Sequence, residues 1–329
     1  MTAAALKIRG LCVQIDGRFD VVKNLSFSVC PGETVCLVGE SGCGKSISAL
    51  SILRLLPPVA RSVAGEIYFN GQNLLGLPES ELRRIRGNDI AMIFQEPMSS
   101  LNPLRTIGFQ IAEVMMLHMG WSRAAAWARA AELLEIVRIP DVPQVLDGYP
   151  HQLSGGMRQR VMLAMALACK PAVILADEPT TALDVTIQAQ ITGLLAEMQQ
   201  KFGTAIVLIT HDMGLVAENA DRVVVMYAGR KVEEAPVQEF FQHPAHPYSR
   251  GLLNSLPQLG AANSCGQERL KEIPGMVPAL GDLPSGCPFF PRCEHSDGIC
   301  REQFPSYESV GIDHIAACWH PRAMEENQQ

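Results

Sequence analysis

The sequence predicts an α/β fold built around a parallel sheet, and three observations support this prediction. Short apolar runs with the length of buried strands alternate with longer segments of helical periodicity. One apolar run leads into a glycine-rich loop, and another ends in two adjacent acidic residues. With 329 residues, of which 47% are hydrophobic, the chain can bury a substantial core, either as one large domain with an appendage or as two domains.

The glycine-rich loop has the pattern G-x-x-x-x-G-K-[ST] and lies between the apolar run 34–38 and a helical segment that begins near Ala49. This strand, loop and helix context separates a phosphate-binding loop from an ordinary glycine-rich turn. Its glycines allow a tight turn in which backbone N–H groups point at phosphate oxygens. Lys45 is expected to reach the β- and γ-phosphates of a nucleotide, and Ser46 to ligate Mg²⁺. The loop consists of Gly39, Glu40, Ser41, Gly42, Cys43, Gly44, Lys45 and Ser46.

The acidic pair Asp177 and Glu178 follows the apolar run 172–176. Such a run is typical of a strand buried on both faces, with its carboxylates at the sheet edge where ligands bind. Asp177 is expected to join the Mg²⁺ shell, and Glu178 to orient and deprotonate a water molecule that attacks the γ-phosphate. An isolated acidic pair is more often a solvated strand end, but the phosphate loop earlier in the chain favours the catalytic interpretation.

A third segment, Leu153-Ser154-Gly155-Gly156, precedes a strong helical pattern over residues 161–168. Its backbone N–H groups would form another helix start that attracts anions. Taken alone, Ser154 would be interpreted as an ordinary helix N-cap. The phosphate loop and the acidic pair together favour a role in nucleotide binding instead.

These three segments together resemble the ATP-binding-cassette (ABC) family over nearly the first three quarters of the chain. The resemblance implies a P-loop NTPase cassette with a β-rich lobe, a RecA-like core, an inserted helical subdomain and a Pro/Cys-rich C-terminal extension. It also implies that the signature 153–156 of one cassette lies against ATP held by the phosphate loop of another. A second ATPase subunit, identical or a sister, is therefore expected.

The resemblance assigns roles to four further residues. Gln95 is expected to join the Mg²⁺ and water shell and to sense a membrane partner, and His211 to contact the γ-phosphate and steady the attacking water. Asp184 is expected in a loop that crosses the dimer interface. Phe19 is the nearest aromatic residue that could stack on adenine, although its segment reads equally well as an ordinary turn with a partly buried ring.

The chain divides by composition into residues 1–250, expected to form the nucleotide-binding domain, and an extension over residues 251–329. Within the first part, residues from about 96 to 153 are expected to form the helical subdomain, which either passes conformational changes to another protein or caps the ATPase core. Many prolines in the last 80 or so residues predict loops and short elements. Residues 243–253 resemble the start of the extension found in peptide and nickel importer ATPases.

Four cysteines crowd the extension with the spacing C-x5-C-x6-C-x17-C: Cys287, Cys293, Cys300 and Cys318. A bound metal could stabilise a region that has little apolar material for a core. The spacing does not match the short pairs of common zinc folds or bacterial ferredoxins. The resemblance to oligopeptide and dipeptide importer ATPases implies a [4Fe-4S] cluster, with zinc and free thiols as alternatives.

Composition and hydropathy argue against a nucleic-acid-binding protein and against a membrane-spanning or secreted one. The net charge of −7 and pI near 5.7 argue against nucleic-acid binding, which requires a concentrated positive face. No apolar run approaches the roughly 20 residues of a membrane-spanning helix, and the N-terminus lacks a secretory hydrophobic segment. We therefore expect a soluble, cytoplasmic chain, and the resemblance to importer ATPases implies a peripheral position on the cytoplasmic face of a bacterial inner membrane.

The motifs predict an ATPase that uses ATP and Mg²⁺, and the resemblance implies that it powers import of dipeptides or oligopeptides. The expected partners are a second ATPase subunit, two integral membrane permeases and an external solute-binding protein. Import of nickel or another small solute is an alternative. A soluble ABC ATPase in DNA repair or translation is a weaker one, because the sequence has neither a long coiled-coil insertion nor a second cassette. The transported solute and the choice between homodimer and heterodimer remain open.

Overall fold

The computed structural model describes residues 4–96, 100–180, 185–255 and 273–321, with the backbone alone for 185–187. Its strands are β1 (Leu6–Ile15), β2 (Phe19–Val29), β3 (Thr34–Val38), β4 (Ala60–Phe69), β5 (Gln72–Asn73), β6 (Ile90–Ile93), β7 (Val173–Asp177), β8 (Ala205–Ile209), β9 (Arg222–Tyr227), β10 (Arg230–Pro236), β11 (Glu308–Gly311) and β12 (His314–Ala316). Its helices are α1 (Lys45–Ile52), α2 (Glu79–Ile85), α3 (Ile107–Met119), α4 (Arg123–Ile136), α5 (Val142–Asp147), α6 (Gly155–Leu167), α7 (Val185–Phe202), α8 (Met213–Asn219), α9 (Val237–Gln242), α10 (Pro247–Asn254) and α11 (Gly298–Glu302).

The core of the described chain is an eight-stranded sheet with the order β11-β12-β10-β9-β3-β8-β7-β6. The five strands from β9 to β6 in this order run parallel to one another. Every residue of β3, β7 and β8 is buried. Burial on both faces explains why these strands are continuous apolar runs without alternation. The predicted α/β class is confirmed.

A second, antiparallel sheet with the order β2-β1-β4-β5 forms the β-rich lobe. β3 and β6 also lie within the first 94 residues but do not join this lobe. β3 and β6 belong to the core sheet, where each pairs in parallel with its neighbours. Periodicity identifies a buried strand but does not identify the sheet that it joins.

The segment 96–153, predicted as the helical subdomain, contains α3, α4 and α5, and α6 follows it. Three of these helices begin at a residue whose hydroxyl accepts a hydrogen bond from a backbone N–H of the first turn, which is the usual N-cap arrangement. The caps are Thr106, Ser122 and Ser154. No helix in the described part of the chain is long and apolar enough to cross a membrane.

The C-terminal extension forms the expected short elements and also adds two strands to the core sheet. β12 pairs with β10 in an antiparallel register, with Glu233 opposite Ala316. The fully buried carboxylate of Glu233 accepts hydrogen bonds from the backbone N–H of Ala245 (2.8 Å) and of His246 (2.7 Å), and lies 2.8 Å from the His314 ring. Burial alone would raise the pKa of Glu233, but these hydrogen bonds outweigh it and lower the pKa.

The boundary between the nucleotide-binding domain, residues 1–250, and the extension, residues 251–329, stays a prediction.

The burial of the His246 imidazole predicts that the stability of the fold depends on pH. Its side chain is 1% exposed, and burial lowers its pKa from 6.5 to about 4. As pH falls below 6.5 the unfolded chain therefore binds a proton that the folded chain does not, so stability is lost between pH 6.5 and about 4. His246→Asn keeps an N-cap acceptor for α10 but does not titrate. We expect this variant to remove up to about 3 kcal/mol of the pH-dependent loss.

Urea unfolding at a series of pH values measures this effect. The matched control is His243→Asn, three residues earlier and exposed, which should keep the wild-type slope. An unchanged slope in His246→Asn would show that the buried imidazole does not control acid stability.

Candidate functional site

The candidate site lies at the carboxyl edge of the parallel strands. β3 leads into the glycine-rich loop, β6 precedes Gln95, β7 ends at Asp177 and β8 precedes His211. Because these strands are parallel and adjacent in the order β3-β8-β7-β6, their carboxyl ends meet at one edge of the sheet. The fold thereby brings together residues that are far apart in the sequence.

Two glycines of the loop occupy positions that no other residue fits. Gly39 has φ 146°, and a Cβ there would lie 2.1 Å from the carbonyl oxygen of Met226. Gly44 has φ 97°, and a Cβ there would lie 2.6 Å from the carbonyl oxygen of Val21. The loop backbone therefore packs directly against two strands.

Lys45 is buried, at 6% exposure, and is the first residue of α1. Its Nζ donates to the carbonyl oxygens of Gly39 (2.6 Å) and Glu40 (3.0 Å), so the ammonium lies inside the curve of the loop. Gly44 at the N-cap has no side chain to cap the helix start, which leaves first-turn N–H groups for a ligand. Lysine and helix start together form a site for a phosphate group.

Ser46 and Asp177 join the loop to the acidic strand. The Ser46 hydroxyl donates to Asp177 Oδ1 at 2.9 Å, and Asp177 is 5% exposed. Burial raises the pKa of Asp177, and the neighbouring Glu178 adds to this, while Ser46 and Lys45 oppose it. A desolvated carboxylate beside a hydroxyl is a pair of hard oxygen ligands, which fits Mg²⁺.

Glu178 lies between two other predicted site residues. Its Oε2 accepts a hydrogen bond from Gln95 Nε2 at 3.0 Å, and its Oε1 lies 3.3 Å from His211 Nδ1. Its backbone is left-handed, with φ 44°, and is held by a hydrogen bond from its N–H to the carbonyl oxygen of Ile209 at 3.0 Å. Such backbone strain outside glycine is concentrated at functional sites. The His211 side chain is 65% exposed, so this end of the site is open.

The signature segment forms the start of α6. The Ser154 Oγ accepts a hydrogen bond from the N–H of Met157 at 3.3 Å, so Ser154 is a structural N-cap. Ser154 and Gly155 are exposed and Gly156 is buried. Gln159 of the same helix donates to the carbonyl oxygen of Pro179 at 2.5 Å, directly after the acidic pair. α6 is thus tied to the segment after β7 that carries Glu178.

Phe19 and Asp184 are the two remaining residues predicted for the nucleotide site. Phe19 is the first residue of β2 and its ring is 38% exposed, close to Gly281 of the extension. Val21 of the same strand contacts Gly44, which places Phe19 near the loop but does not test adenine stacking. Asp184 lies outside the described residues.

The sequence did not predict the two residues that hold Glu40 of the phosphate loop in place. Arg292 of the extension forms an ion pair with Glu40, and Tyr248 accepts a hydrogen bond from the Glu40 N–H at 2.7 Å. Arg292 and Glu40 are separated by 252 positions. No periodicity or motif in the sequence connects them.

The four cysteines of the extension line one pocket together with His320 and Trp319. Burial raises the pKa of Cys287 to about 11 and of Cys318 to about 12, and neighbouring cysteines add to both shifts. Four thiols that line one pocket form a donor set suited to a metal group once they are deprotonated.

The spacing of the sulfur atoms bears on the kind of metal group. Among the described residues, the ligand atoms that cluster within 4.8 Å are those of Asp297, Cys300 and His320, and not those of three or four cysteines. A tetrahedral zinc ion would hold its sulfurs about 3.8 Å apart. In the described residues, no three cysteine sulfurs lie at the mutual spacing of a zinc site.

Comparison with protein families agrees with this geometry. The family model described as ABC transporter matches residues 22–181, and the model described as oligopeptide/dipeptide transporter, C-terminal region, matches residues 232–300. A solved dimeric ATP-binding cassette in a post-hydrolysis state with ADP and Pi has a TM-score of 0.64 and 29% identity, over 70% of this chain and 98% of that chain. Fold and site define an ABC-type ATPase.

Similarity to curated proteins identifies the group within the ABC family. The chain is 52% identical to a probable peptide ABC transporter ATP-binding protein of Sinorhizobium fredii, over 95% of this chain and 94% of the relative. It is 49% identical to the oligopeptide transport ATP-binding protein of Salmonella typhimurium (93% and 90% covered) and 49% to the dipeptide transport ATP-binding protein of Escherichia coli (92% and 91%). The chain belongs to the oligopeptide/dipeptide group of ABC transporter ATP-binding proteins.

The packing of the phosphate loop predicts unequal effects of two glycine substitutions. Gly44 and Gly42 both have positive φ, but a Cβ at Gly44 meets backbone at 2.6 Å, whereas a Cβ at Gly42 meets no atom within 4 Å. Both alanine variants carry backbone strain, and Gly44→Ala adds a steric clash. We expect Gly44→Ala to be less stable than Gly42→Ala by about 1–3 kcal/mol. Urea unfolding measures the difference, and equal stabilities would contradict the close approach of the loop to β2.

Proposed function

We propose that this chain is the ATP-hydrolysing subunit that powers import of peptides through partner membrane permeases. The observation that carries the proposal is the position of Glu178, held between Gln95 and His211 beside the Ser46–Asp177 pair. The match of the extension to the oligopeptide/dipeptide transporter model supports peptides as cargo. Its relatives at 49% identity include both an oligopeptide and a dipeptide transport protein, so peptide length stays open.

The residues at the carboxyl edge of the parallel strands have the following roles in this proposal. The loop N–H groups and Lys45 bind the β- and γ-phosphates of ATP, and Phe19 stacks on adenine. Ser46, Asp177 and Gln95 hold Mg²⁺, which neutralises phosphate charge when it is bound.

Glu178 and His211 handle the attacking water in this proposal. Glu178 accepts a proton from the water, since it lies beside the exposed His211 at the open end of the site. His211 contacts the γ-phosphate and keeps Glu178 oriented through the 3.3 Å contact.

The exposed signature supports a site shared between two chains. Ser154, Gly155 and Gly156 of one cassette bind the ATP held by another, and Asp184 lies at the interface between them. Closure of the two cassettes would exclude water and strengthen the electrostatic interactions with the phosphate. The partner is an identical chain or a sister subunit.

The assembly in this proposal has two ATPase subunits, two integral membrane permeases and an external solute-binding protein. The chain lies at the cytoplasmic face of the inner membrane as a peripheral subunit. The helical subdomain of residues 96–153 and the segment after Gln95 form the coupling surface. Leu104 and Leu117, which are 83% and 74% exposed there, are apolar side chains available to a permease. Hydrolysis then drives alternating access.

The alternatives have less support. Import of nickel or another small solute uses the same cassette, but the named relatives at 49–52% identity are peptide transport proteins. A soluble ABC ATPase in DNA repair or translation leaves the match of residues 232–300 unexplained.

The substitution Glu178→Gln tests the proposed mechanism. It keeps the hydrogen-bonding shape but removes the base, so ATP binding should persist while turnover falls by about 100-fold or more. Uptake of a radiolabelled dipeptide or tripeptide by cells that express the full transporter should fall in parallel. The control Glu218→Gln, at an exposed position of α8, should retain both activities. Undiminished turnover in Glu178→Gln would contradict the assignment of the base.

We further propose that Cys287, Cys293, Cys300 and Cys318 hold a [4Fe-4S] cluster, whose bonds to thiolates would stabilise a region of loops and short elements. The support is the pocket that the four cysteines line together. Zinc and free thiols are the alternatives.

Metal analysis decides among these alternatives. The chain purified without oxygen should be brown and contain about four iron and four sulfide per molecule. Cys318→Ala should lose most of both, whereas Cys169→Ala, outside the extension, should keep them. Zinc without iron, or a colourless metal-free chain, would contradict the cluster.

A further inference from the structure

We propose that Arg292 of the C-terminal extension is a positioning residue for the phosphate loop, and that through Glu40 it sets the affinity of the site for nucleotide. The inference rests on the proposed nucleotide site at Lys45. It concerns a residue that lies outside that site and that touches none of the reacting atoms.

The contact between Arg292 and Glu40 is bidentate. Nη1 lies 2.6 Å from Glu40 Oε2, and Nη2 lies 3.0 Å from Glu40 Oε1. This arrangement of two parallel N–H···O bonds fixes both the distance and the orientation of the carboxylate. A lysine at the same position could supply a charge but not the planar fork.

The guanidinium itself is held firmly. Nε donates to the carbonyl oxygen of Pro274 at 2.8 Å, Nη2 to that of Ile273 at 3.2 Å, and Nη1 to the Tyr227 hydroxyl at 3.3 Å. With the two bonds to Glu40, these contacts use all five N–H groups of the arginine. The side chain is 4% exposed, so little water competes for them.

Glu40 connects this arginine to the lysine of the loop. Its side chain is bound by Arg292, its N–H donates to the Tyr248 hydroxyl, and its carbonyl oxygen accepts from Lys45 Nζ at 3.0 Å. A displacement of Glu40 therefore moves a carbonyl group that directs the Lys45 ammonium. The three contacts together fix the position of residue 40 beside the Lys45 ammonium.

Aromatic packing makes the support rigid. The Phe289 ring lies against Tyr227 at a centroid distance of 5.2 Å and against Tyr248 at 5.4 Å. These two tyrosines contact each other edge to face at 4.6 Å. Extension and cassette thus share one packed cluster behind the loop, and Arg292 projects from it.

A purely structural role for the pair would be to fasten the extension to the cassette. That role predicts loss of stability without any change in nucleotide affinity once the chain is folded. A positioning role predicts weaker nucleotide binding even in variants that remain folded and keep the extension attached. The two roles are therefore separable by measuring both quantities in the same variants.

The test uses the full-length chain with Arg292→Lys, Glu40→Gln and the exchange Arg292→Glu with Glu40→Arg. Arg301→Ala, an exposed arginine of the extension, is the matched control. ATP affinity is measured by calorimetry without hydrolysis, kcat and KM by phosphate release, and stability by thermal unfolding. Lys45→Ala, measured alongside, tests the nucleotide site itself.

We expect Arg292→Lys to weaken ATP binding and raise KM about tenfold, the equivalent of one charge-assisted hydrogen bond, with kcat within about twofold of wild type. Glu40→Gln should weaken ATP binding similarly although Arg292 is intact, and the exchange should recover part of the loss. Unchanged ATP affinity in both single variants, with lower thermal stability, would overturn the proposal. Unchanged affinity in Lys45→Ala would overturn the nucleotide site, which is a separate failure.

Discussion

The hydrogen bond between Ser46 and Asp177 is the contact on which the site depends. It joins the loop after β3 to the end of β7, two strands that are separated by β8 in the sheet. This contact requires the parallel order of the strands, because only then do their carboxyl ends lie at one edge. Burial of Asp177, which raises its pKa, makes the pair receptive to a cation, and Glu178 is placed at the adjoining open end. The proposed binding of metal and phosphate and the proposed activation of water thus all involve one edge of one sheet.

The extension is part of the same structural unit as the cassette in the described residues. β12 continues the core sheet beside β10, and the buried Glu233 accepts hydrogen bonds from the backbone that leads into α10. α10 carries Tyr248, which contacts the phosphate loop, and Arg292 contacts the loop from the extension. An extension that packs in this way can influence nucleotide binding as well as stability. Its cysteine pocket lies on the same segment as Arg292.

The sequence predicted the parts of the fold that depend on local chemistry. Gly39 and Gly44 are glycines because a Cβ would meet backbone, and the loop motif records that constraint directly. The buried strands were recognisable as apolar runs, as the match of the predicted run 34–38 to β3 shows. Contacts between distant segments were not predictable. Nothing near Arg292 indicates Glu40 as its partner, and no local pattern indicates that β3 pairs with β8 and β9.

The central claim is that one chain binds ATP at its phosphate loop and a second chain closes the site with its signature. A photo-crosslinking side chain at position 154, placed in the Glu178→Gln background within the assembled transporter, tests this directly. With ATP, denaturing electrophoresis should show a product with the mass of two polypeptides, and mass spectrometry should locate the adduct in the phosphate loop of an identical or sister chain. Adducts only within one chain, or equal yield with and without ATP, would contradict the account.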